Sequence, residues 1–253
     1  MLEPVFSFSV VSHGQMSLVV SLLEDIQVHC RGMALELILT LNVPESSVIS
    51  PEKYTFPIKI IRNASPKGFG ANHNQALEQS YGTYFCIVNP DIRFDSNPLP
   101  ALLACFDQPK VGVVAPLVVA PDGTVEDSVR RVPTPATILQ KIRGKSRGPD
   151  YLIQSETLMV DWVGGMFMLL PRTVFEALGG FDEGYFLYYE DVDLCVRLHL
   201  LGWQVAACPH SHVIHHAQRT SHRQLKYLRW HVSSMARFFC SAGFWELRRL
   251  GRL

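Results

Sequence analysis

The sequence predicts an α/β fold with a doubly wound, mostly parallel central sheet. Three observations predict it. Apolar, β-rich runs and segments of helical period follow one another in the order strand, helix, strand, strand, helix, strand over roughly ninety residues. The chain is 47% hydrophobic over 253 residues, enough to bury a sizeable core and to argue against disorder. Polar residues stand where the predicted strands end, the edge at which such sheets bind ligands.

The elements follow in order. Val5–Ser12 (VFSFSVVS) is a first strand that stops at His13-Gly14, and MSLVVSLLEDIQVHC after it carries Leu18, Leu22 and Ile26 at helical spacing. Ala34–Leu41 is a second strand closing at NVPESS, IKIIRN a third, GANHNQALEQS a helix and Thr83–Asn89 a fourth strand. VGVVAPLVV and TLMVDWVGGMFMLLP read as further strands beyond residue 100. Residues 124–151 lie between them; rich in Pro, Gly, Arg and Lys, they read as an exposed excursion. DVDLCVRLHLLG is a helix that Gly202 ends. From Arg219 on, eight basic residues (Arg219, Arg223, Lys226, Arg229, Arg237, Arg248, Arg249, Arg252) face one acid, Glu246, with Trp230, Phe238, Phe239, Phe244 and Trp245 among them. Such a helix suits an anionic membrane surface, or docks on the core with a solvated basic face. The expected organisation is 1–100, 101–218 and a basic amphipathic helix over 219–253.

Composition narrows the function. Formal charge is zero and the isoelectric point about 7.1, so the balance of charge gives no case for nucleic acid. The six cysteines form no C-x-x-C pair and read as reduced thiols of a cytoplasmic protein. The N-terminus has no basic stretch or small-residue cleavage site, and no apolar run reaches transmembrane length. The expected location is the cytoplasm, with peripheral contact on the inner face of the cytoplasmic membrane through the basic tail.

Four stretches can carry chemistry. In VNPDIRF, Asp91 stands just past a strand end, where a carboxylate can hold a divalent cation; an Asn-Pro-Asp turn is the plain alternative. In RNASPKGFGANHNQA, Gly68 and Gly70 admit close backbone approach ahead of a helix that offers N–H groups to an anion, without matching a dinucleotide or P-loop pattern. FDEGYFLYYEDVDLCVR sets Asp182, Glu183, Glu190, Asp191 and Asp193 beside five aromatics. Helix capping and an Asp193–Arg197 pair account for part of it. Glu190 and Asp191 at an aromatic rim suit a general base toward a sugar hydroxyl. CPHSHVIHHAQRTSH holds His210, His212, His215, His216 and His222, one of which could join Asp91 on a cation.

The order GFGANHNQA, NPD, VGGMFMLLPR, GGFDEGYFLYYEDVDLCVRLHLLGW and VIHH resembles the family 2 glycosyltransferases, and within them the rhamnosyltransferase-like branch of bacterial cell-surface polysaccharide synthesis. The resemblance spans Val5 to His216. It implies a GT-A fold whose first half binds a nucleotide-sugar and whose second half binds a saccharide or lipid-linked acceptor. It also implies inverting transfer with Mg2+ or Mn2+. By the same resemblance Asp91 fills the last position of a metal-binding D-x-D motif with Asn89 at its first, and His215 completes the metal site. Asp191 matches the catalytic base with Glu190 beside it, and Gly164 and Gly165 match a glycine pair lining the sugar pocket. Ser12, His13, Asn42, Asn63, Gly68, Asn72 and Asn89 complete the expected nucleotide-sugar site. Two departures touch nucleotide recognition: Leu41 precedes Asn42 where the family carries an acid, and His13-Gly14 replaces a Tyr-Asn pair. The alternatives are a nucleotidyltransferase and an inactive nucleotide-sugar-binding protein.

Overall fold

The computed structural model describes residues 5–46, 49–144, 148–217 and 225–252. They build a nine-stranded sheet flanked by helices on both faces. The first half follows the expected order: β1 (Phe6–Ser12), α1 (Met16–His29), β2 (Leu35–Leu41), β3 (Ile58–Arg62), α2 (Phe69–Glu78) and β4 (Tyr84–Val88). Strand β1 shows why these runs form central strands. Phe6, Phe8 and Val10 pack toward α1. Ser7 and Ser9 face the other way and are satisfied there: the Ser7 hydroxyl donates to Glu36 at 2.7 Å, and Ser9 Oγ lies 2.7 Å from His73 Nδ1.

The second half adds β5 (Ile92–Arg93), α3 (Leu99–Ala104), β6 (Val111–Val119), β7 (Val129–Arg130), α4 (Pro135–Ile142), β8 (Leu158–Val160), β9 (Trp162–Val163) and β10 (Phe167–Pro171). After these come α5 (Arg172–Ala177), α6 (Glu190–Leu200), β11 (Gln204–His215), α7 (Leu225–Cys240) and α8 (Ala242–Arg249). The strand order is β3-β2-β1-β4-β10-β6-β11-β5, with β8 paired to β11. Strands β1, β2, β3, β4, β6 and β11 run one way, while β10, β5 and β8 run against their neighbours. The carboxyl ends of the six therefore share one edge with the amino end of β10. One core packs α1 and α3 on one face of the sheet; another packs α2, α5 and α6 on the other.

Four expectations change. The run 157–171 is three short strands rather than one, broken at Asp161 and at Gly164–Met166. Asp161 accepts the Tyr151 hydroxyl at 2.8 Å and the Val132 amide at 2.9 Å, which takes it out of the ladder. The excursion 124–151 is not a plain loop: β7 pairs with β9, and α4 starts at a capping box in which Thr134 and Thr137 satisfy each other's amides. The histidine-rich stretch is strand β11, with a register shift between Cys208 and His212 where Pro209 interrupts the ladder. The tail forms two helices, because the Ser241 hydroxyl accepts the Phe244 amide at 3.2 Å and starts α8 afresh. Phe238, Phe244 and Leu247 are buried against Tyr185, Val192 and Val196, and Arg237 pairs with Asp182 at 2.8 Å. Arg219, His222 and Arg223 lie outside the described residues.

Candidate active site

The shared sheet edge gathers the predicted residues into three groups. The first is an asparagine network beyond β1, β2 and β3. Asn42 Nδ2 donates to the Lys67 carbonyl at 3.0 Å, and Asn42 Oδ1 accepts the Lys67 amide at 2.8 Å and Asn63 Nδ2 at 2.9 Å. Asn63 Nδ2 also donates to Asn72 Oδ1 at 2.7 Å, and Asn72 Nδ2 to the Gly68 carbonyl at 2.9 Å. Asn42 Nδ2 lies 3.3 Å from His13 Nδ1. Ser12 turns to Glu45, which accepts its hydroxyl at 2.5 Å and the Gly14 amide at 2.9 Å. Glu45 was missed from the sequence; it lies four residues past the strand and reaches Ser12 only through the fold. Gly68 does serve close approach, but to the chain itself: a Cβ there would sit 2.8 Å from the Phe186 carbonyl oxygen. The Phe69 amide donates to that oxygen at 2.8 Å.

The second group surrounds His215 at the end of β11. Its Nε2 lies 3.3 Å from Asp91 Oδ2 and its Nδ1 lies 2.7 Å from Glu126 Oε2. Burial works against a charge on the ring, yet the two carboxylates outweigh it and raise its pKa above the ordinary histidine value. Glu126, on the loop after β6, is a second residue the sequence did not announce; its amide donates to the Val118 carbonyl at 2.8 Å and fixes the loop. Among the described residues no group of three His, Cys, Asp or Glu side chains converges on a metal position, since Glu126 takes the far ring nitrogen. The donor set nevertheless fits a divalent cation. Asp91 Oδ1 is buried and without a partner, and an imidazole Nε2 stands beside the same carboxylate. His212 instead meets Asp95 at 2.9 Å, and His210 and His216 are exposed.

The third group holds Asp191 and Glu190 in the first turn of α6. Asp191 Oδ2 accepts the Gly165 amide at 3.0 Å and Oδ1 the Val192 amide at 2.8 Å. A Cβ on Gly165 would come within 3.2 Å of the Phe69 ring, so the bare backbone at 165 is what lets that amide reach Asp191. Gly164 donates its amide to the Ser128 carbonyl at 2.8 Å. Glu190 is buried, and its Oε2 has no partner. Burial, and then the neighbouring Asp191 charge, push the Glu190 carboxyl well above the ordinary range. Burial raises Asp191 too, against the pull of the two amides, its own amide and the Arg130 charge. The amides and the helix N-terminus favour charge on Asp191, so a proton held by the pair sits on Glu190. Tyr188 and Tyr189, just before them, adopt φ of 71° and 68°. Side chains avoid that left-handed region at a cost of about 1–3 kcal/mol each, and such strain gathers at functional sites. A cavity of about 600 Å³ opens here, lined by Glu190, Asp191, Tyr188, Tyr189, Trp162 and Arg130 together with α4 and α7.

The lining of this cavity does not include Asp91, His215 or the asparagine network. The last two groups connect through the turn before β10: the Asn89 amide donates to the Met166 carbonyl at 2.9 Å, and Gly165, next to Met166, donates its amide to Asp191. The remaining acids of 181–197 have structural roles. Asp193 pairs with Arg197 at 2.7 Å as the spacing predicts, Glu183 accepts Asn74 at 3.0 Å, and Asp182 anchors Arg237.

Comparison with known proteins places this arrangement. A profile described as glycosyltransferase like family 2 matches residues 4–237. The chain is 30% identical to rhamnosyltransferase WbbL of Escherichia coli K12, over 74% of this chain and 75% of that protein. It is 33% identical to the N-acetylglucosaminyl-diphospho-decaprenol L-rhamnosyltransferase of Mycobacterium tuberculosis, over 75% of this chain and 69% of that one. Among solved structures, GalNAc-T7 with UDP, GalNAc and Mn2+ superposes with a TM-score of 0.65 at 16% identity, over 84% of this chain and 43% of that one. The mannosyltransferase PcManGT of Pyrobaculum calidifontis with GDP-Man and Mn2+ gives 0.61 at 16% identity, over 94% and 65%. These structural likenesses show the fold, which is GT-A. The match along nearly the whole chain and the identity to two rhamnosyltransferases fix the rest: the chain belongs to glycosyltransferase family 2 and is a glycosyltransferase.

Proposed function

We propose that the enzyme moves a sugar from a nucleoside-diphosphate sugar to a hydroxyl of a saccharide or lipid-linked saccharide, with inversion, in the synthesis of a bacterial cell-surface polysaccharide. One observation carries the reading: Asp191, held by two amides at the start of α6, borders a cavity large enough for a saccharide, with the buried Glu190 beside it. Asp191 takes the proton of the acceptor hydroxyl, and that oxygen attacks the anomeric carbon from the face opposite the diphosphate. The bond from the anomeric carbon to the diphosphate oxygen breaks, and the nucleoside diphosphate leaves. General-base assistance of this kind contributes on the order of 10²–10⁴-fold, and holding both substrates in one geometry contributes further.

Asp91 and His215 are the residues that would hold Mg2+ or Mn2+, with Glu126 orienting the imidazole. Bound there, a cation would supply positive charge against that developing on the departing diphosphate. The asparagine network, with Ser12, His13 and Asn89, serves the nucleotide-sugar, and Gly164 and Gly165 line its sugar end. Residues 1–100 then supply the donor side and 101–218 the acceptor side, with α7 and α8 bracing the acceptor side. No helix among the described residues is long and apolar enough to cross a membrane. Contact with a lipid surface fits the exposed Leu139, Ile142, Leu225, Leu228 and Trp245, whereas Phe238 and Phe244 are buried.

The test is release of nucleoside diphosphate from a panel of sugar nucleotides, with and without Mn2+, using wild type and Asp191→Asn. Asp191→Asn is expected to abolish transfer while leaving the donor-induced rise in melting temperature intact. Near wild-type turnover in that variant removes Asp191 as the base.

A further inference from the structure

Helix α1 buries one charged side chain, Asp25, among Met16, Val19, Leu22, Leu23 and Ile26. A carboxylate taken out of water is costly unless hydrogen bonds and an opposite charge compensate it. Here the compensation comes from the residues just after Asp91. Asp25 Oδ2 accepts Arg93 Nε at 2.5 Å and the Phe94 amide at 2.9 Å, and Oδ1 accepts Arg93 Nη2 at 2.8 Å. A two-pronged pair of this kind fixes orientation as well as charge. What it holds is weak by itself. Strand β5 is two residues long and lies at the edge of the sheet, with Ile92 opposite His215 and Arg93 opposite Ile214 of β11. So short a strand sets its own register poorly. That register nevertheless decides where the two cation candidates stand. Asp91 immediately precedes β5, its carbonyl accepts the His216 amide at 2.9 Å, and its carboxylate lies 3.3 Å from His215 Nε2. Four strands separate β5 from β1 in the sheet order, so the pair is a long-range tie. At its other end α1 starts beside the nucleotide group, where the Gln15 amide donates to Ser12 Oγ at 3.1 Å.

We infer that Asp25 and Arg93 are positioning residues for the cation site: their pair fixes β5 against β11 and thereby keeps Asp91 facing His215 Nε2. Neither side chain touches substrate or cation. The inference rests on the reading of Asp91 and His215 as cation ligands, and it adds how the opposite half of the chain holds them in place. Simple anchorage of α1 on the sheet is the competing role. Anchorage alone affects stability and leaves the Asp91–His215 geometry as it is. Positioning changes that geometry while the rest of the sheet stays closed. Lysine at 93 keeps the charge without the planar fork, so charge and orientation can be separated.

The test compares wild type, Asp25→Asn and Arg93→Lys, each as the full chain, in two measurements. Amide hydrogen exchange in EDTA follows the His216 N–H, which donates to Asp91. The Asn42 N–H, which donates to the Ser12 carbonyl at 2.9 Å, reports opening of the sheet as a whole. Titration with Mn2+ alone, with free ion read by electron paramagnetic resonance, follows the site. Asp25→Asn is expected to speed His216 exchange about tenfold, the loss of one charge-assisted contact, with Asn42 exchange unchanged. It is also expected to weaken Mn2+ binding about tenfold, the low end of what outer partners of metal ligands contribute. Arg93→Lys should fall between wild type and Asp25→Asn in both measurements. The Arg93 side chain is 36% exposed, so this variant carries the comparison if Asp25→Asn does not fold. His216 exchange equal to wild type overturns the inference, and so does equal acceleration at His216 and Asn42. Faster His216 exchange with unaltered Mn2+ affinity overturns it too, leaving a structural pair. Absence of Mn2+ uptake by wild type refutes the cation reading and with it the role of the pair, whereas wild-type uptake that the variants retain refutes the pair alone.

Discussion

Removing the Glu126 side chain tests how the imidazole at 215 is made ready for a cation. Glu126 Oε2 lies 2.7 Å from Nδ1, on the side of the ring away from Asp91. A proton on Nδ1 donated to Glu126 would leave Nε2, on the Asp91 side, as the nitrogen open to a cation once the ring is neutral. Carboxylates placed this way behind a ligating histidine raise metal affinity about 10–100-fold, equivalent to roughly 1.4–2.7 kcal/mol. The site supports the full range: the His215 side chain is 13% exposed and that of Glu126 26%, so water replaces the lost contact poorly. Glu126→Ala is therefore expected to weaken Mn2+ binding about 10–100-fold. Glu126→Gln keeps a neutral hydrogen bond of about half the strength, so its loss is the square root of that, roughly 3–10-fold. The assay is titration of Mn2+ in the presence of a nucleoside diphosphate, with free ion read by electron paramagnetic resonance, alongside Asp91→Ala. If Asp91→Ala loses the ion while Glu126→Ala binds it as wild type does, the orienting role is refuted. If wild type takes up no Mn2+, the cation reading itself is refuted.

Three other outcomes are expected. Glu190 has a raised pKa in the fold, so the folded state holds its proton at pH values where the unfolded chain has lost it. Its contribution to stability is thus fully present below the unfolded value of about 4.3, and declines as pH climbs from there toward the raised folded value. Glu190→Gln carries no such titration, so its melting temperature relative to wild type should rise from pH 4 to pH 8; a constant or falling difference contradicts the buried, protonated carboxyl. Gly70→Ala would set a Cβ 2.5 Å from Phe181 Cβ. Urea unfolding should show a loss of about 1–3 kcal/mol, and an unchanged midpoint would mean that the contact between α2 and the 181–186 loop is looser than described. Asp182→Ala frees Arg237, which packs over Gly184 and the Tyr185 ring. Faster proteolysis within residues 225–252 is expected, and protection equal to wild type would show that burial of Phe238 and Phe244 alone secures the tail.

The sequence made the first half of the fold legible because β1, β2 and β4 are short runs rich in apolar and β-branched or aromatic residues, and the helix after β1 has apolar residues at helical spacing, of which Leu22 and Ile26 are buried. Strand β11 was hidden by Pro209 and three histidines, which carry loop and metal signals more strongly than strand signals. Helix α4 was hidden by its basic, proline-rich surroundings, although Pro135 behind Thr134, with Thr137 three residues on, is a readable start signal. At the site, Asp91, Asp191 and the asparagines were picked out from local motifs and His215 and Gly165 from the family resemblance, and the fold brings Asp91 to His215 and Gly165 to Asp191. Glu45, Glu126 and Arg130 were not found. Each sits in a loop or a two-residue strand without a motif of its own and acquires its partner only when distant segments close on it. The glycines of GFG were read as space for a ligand, whereas Gly68 and Gly70 admit the chain's own 181–186 segment.

Strand β10 enters the sheet backwards, and its first amides therefore emerge among the ends of its neighbours. The residue that grips Asn89 and the residue that steadies Asp191 are neighbours in the turn leading into it, so a single-residue shift of that turn would break both contacts at once. A change in that turn therefore disturbs the Asn89 and Asp191 contacts together, whereas α4 and α7 lie outside the sheet.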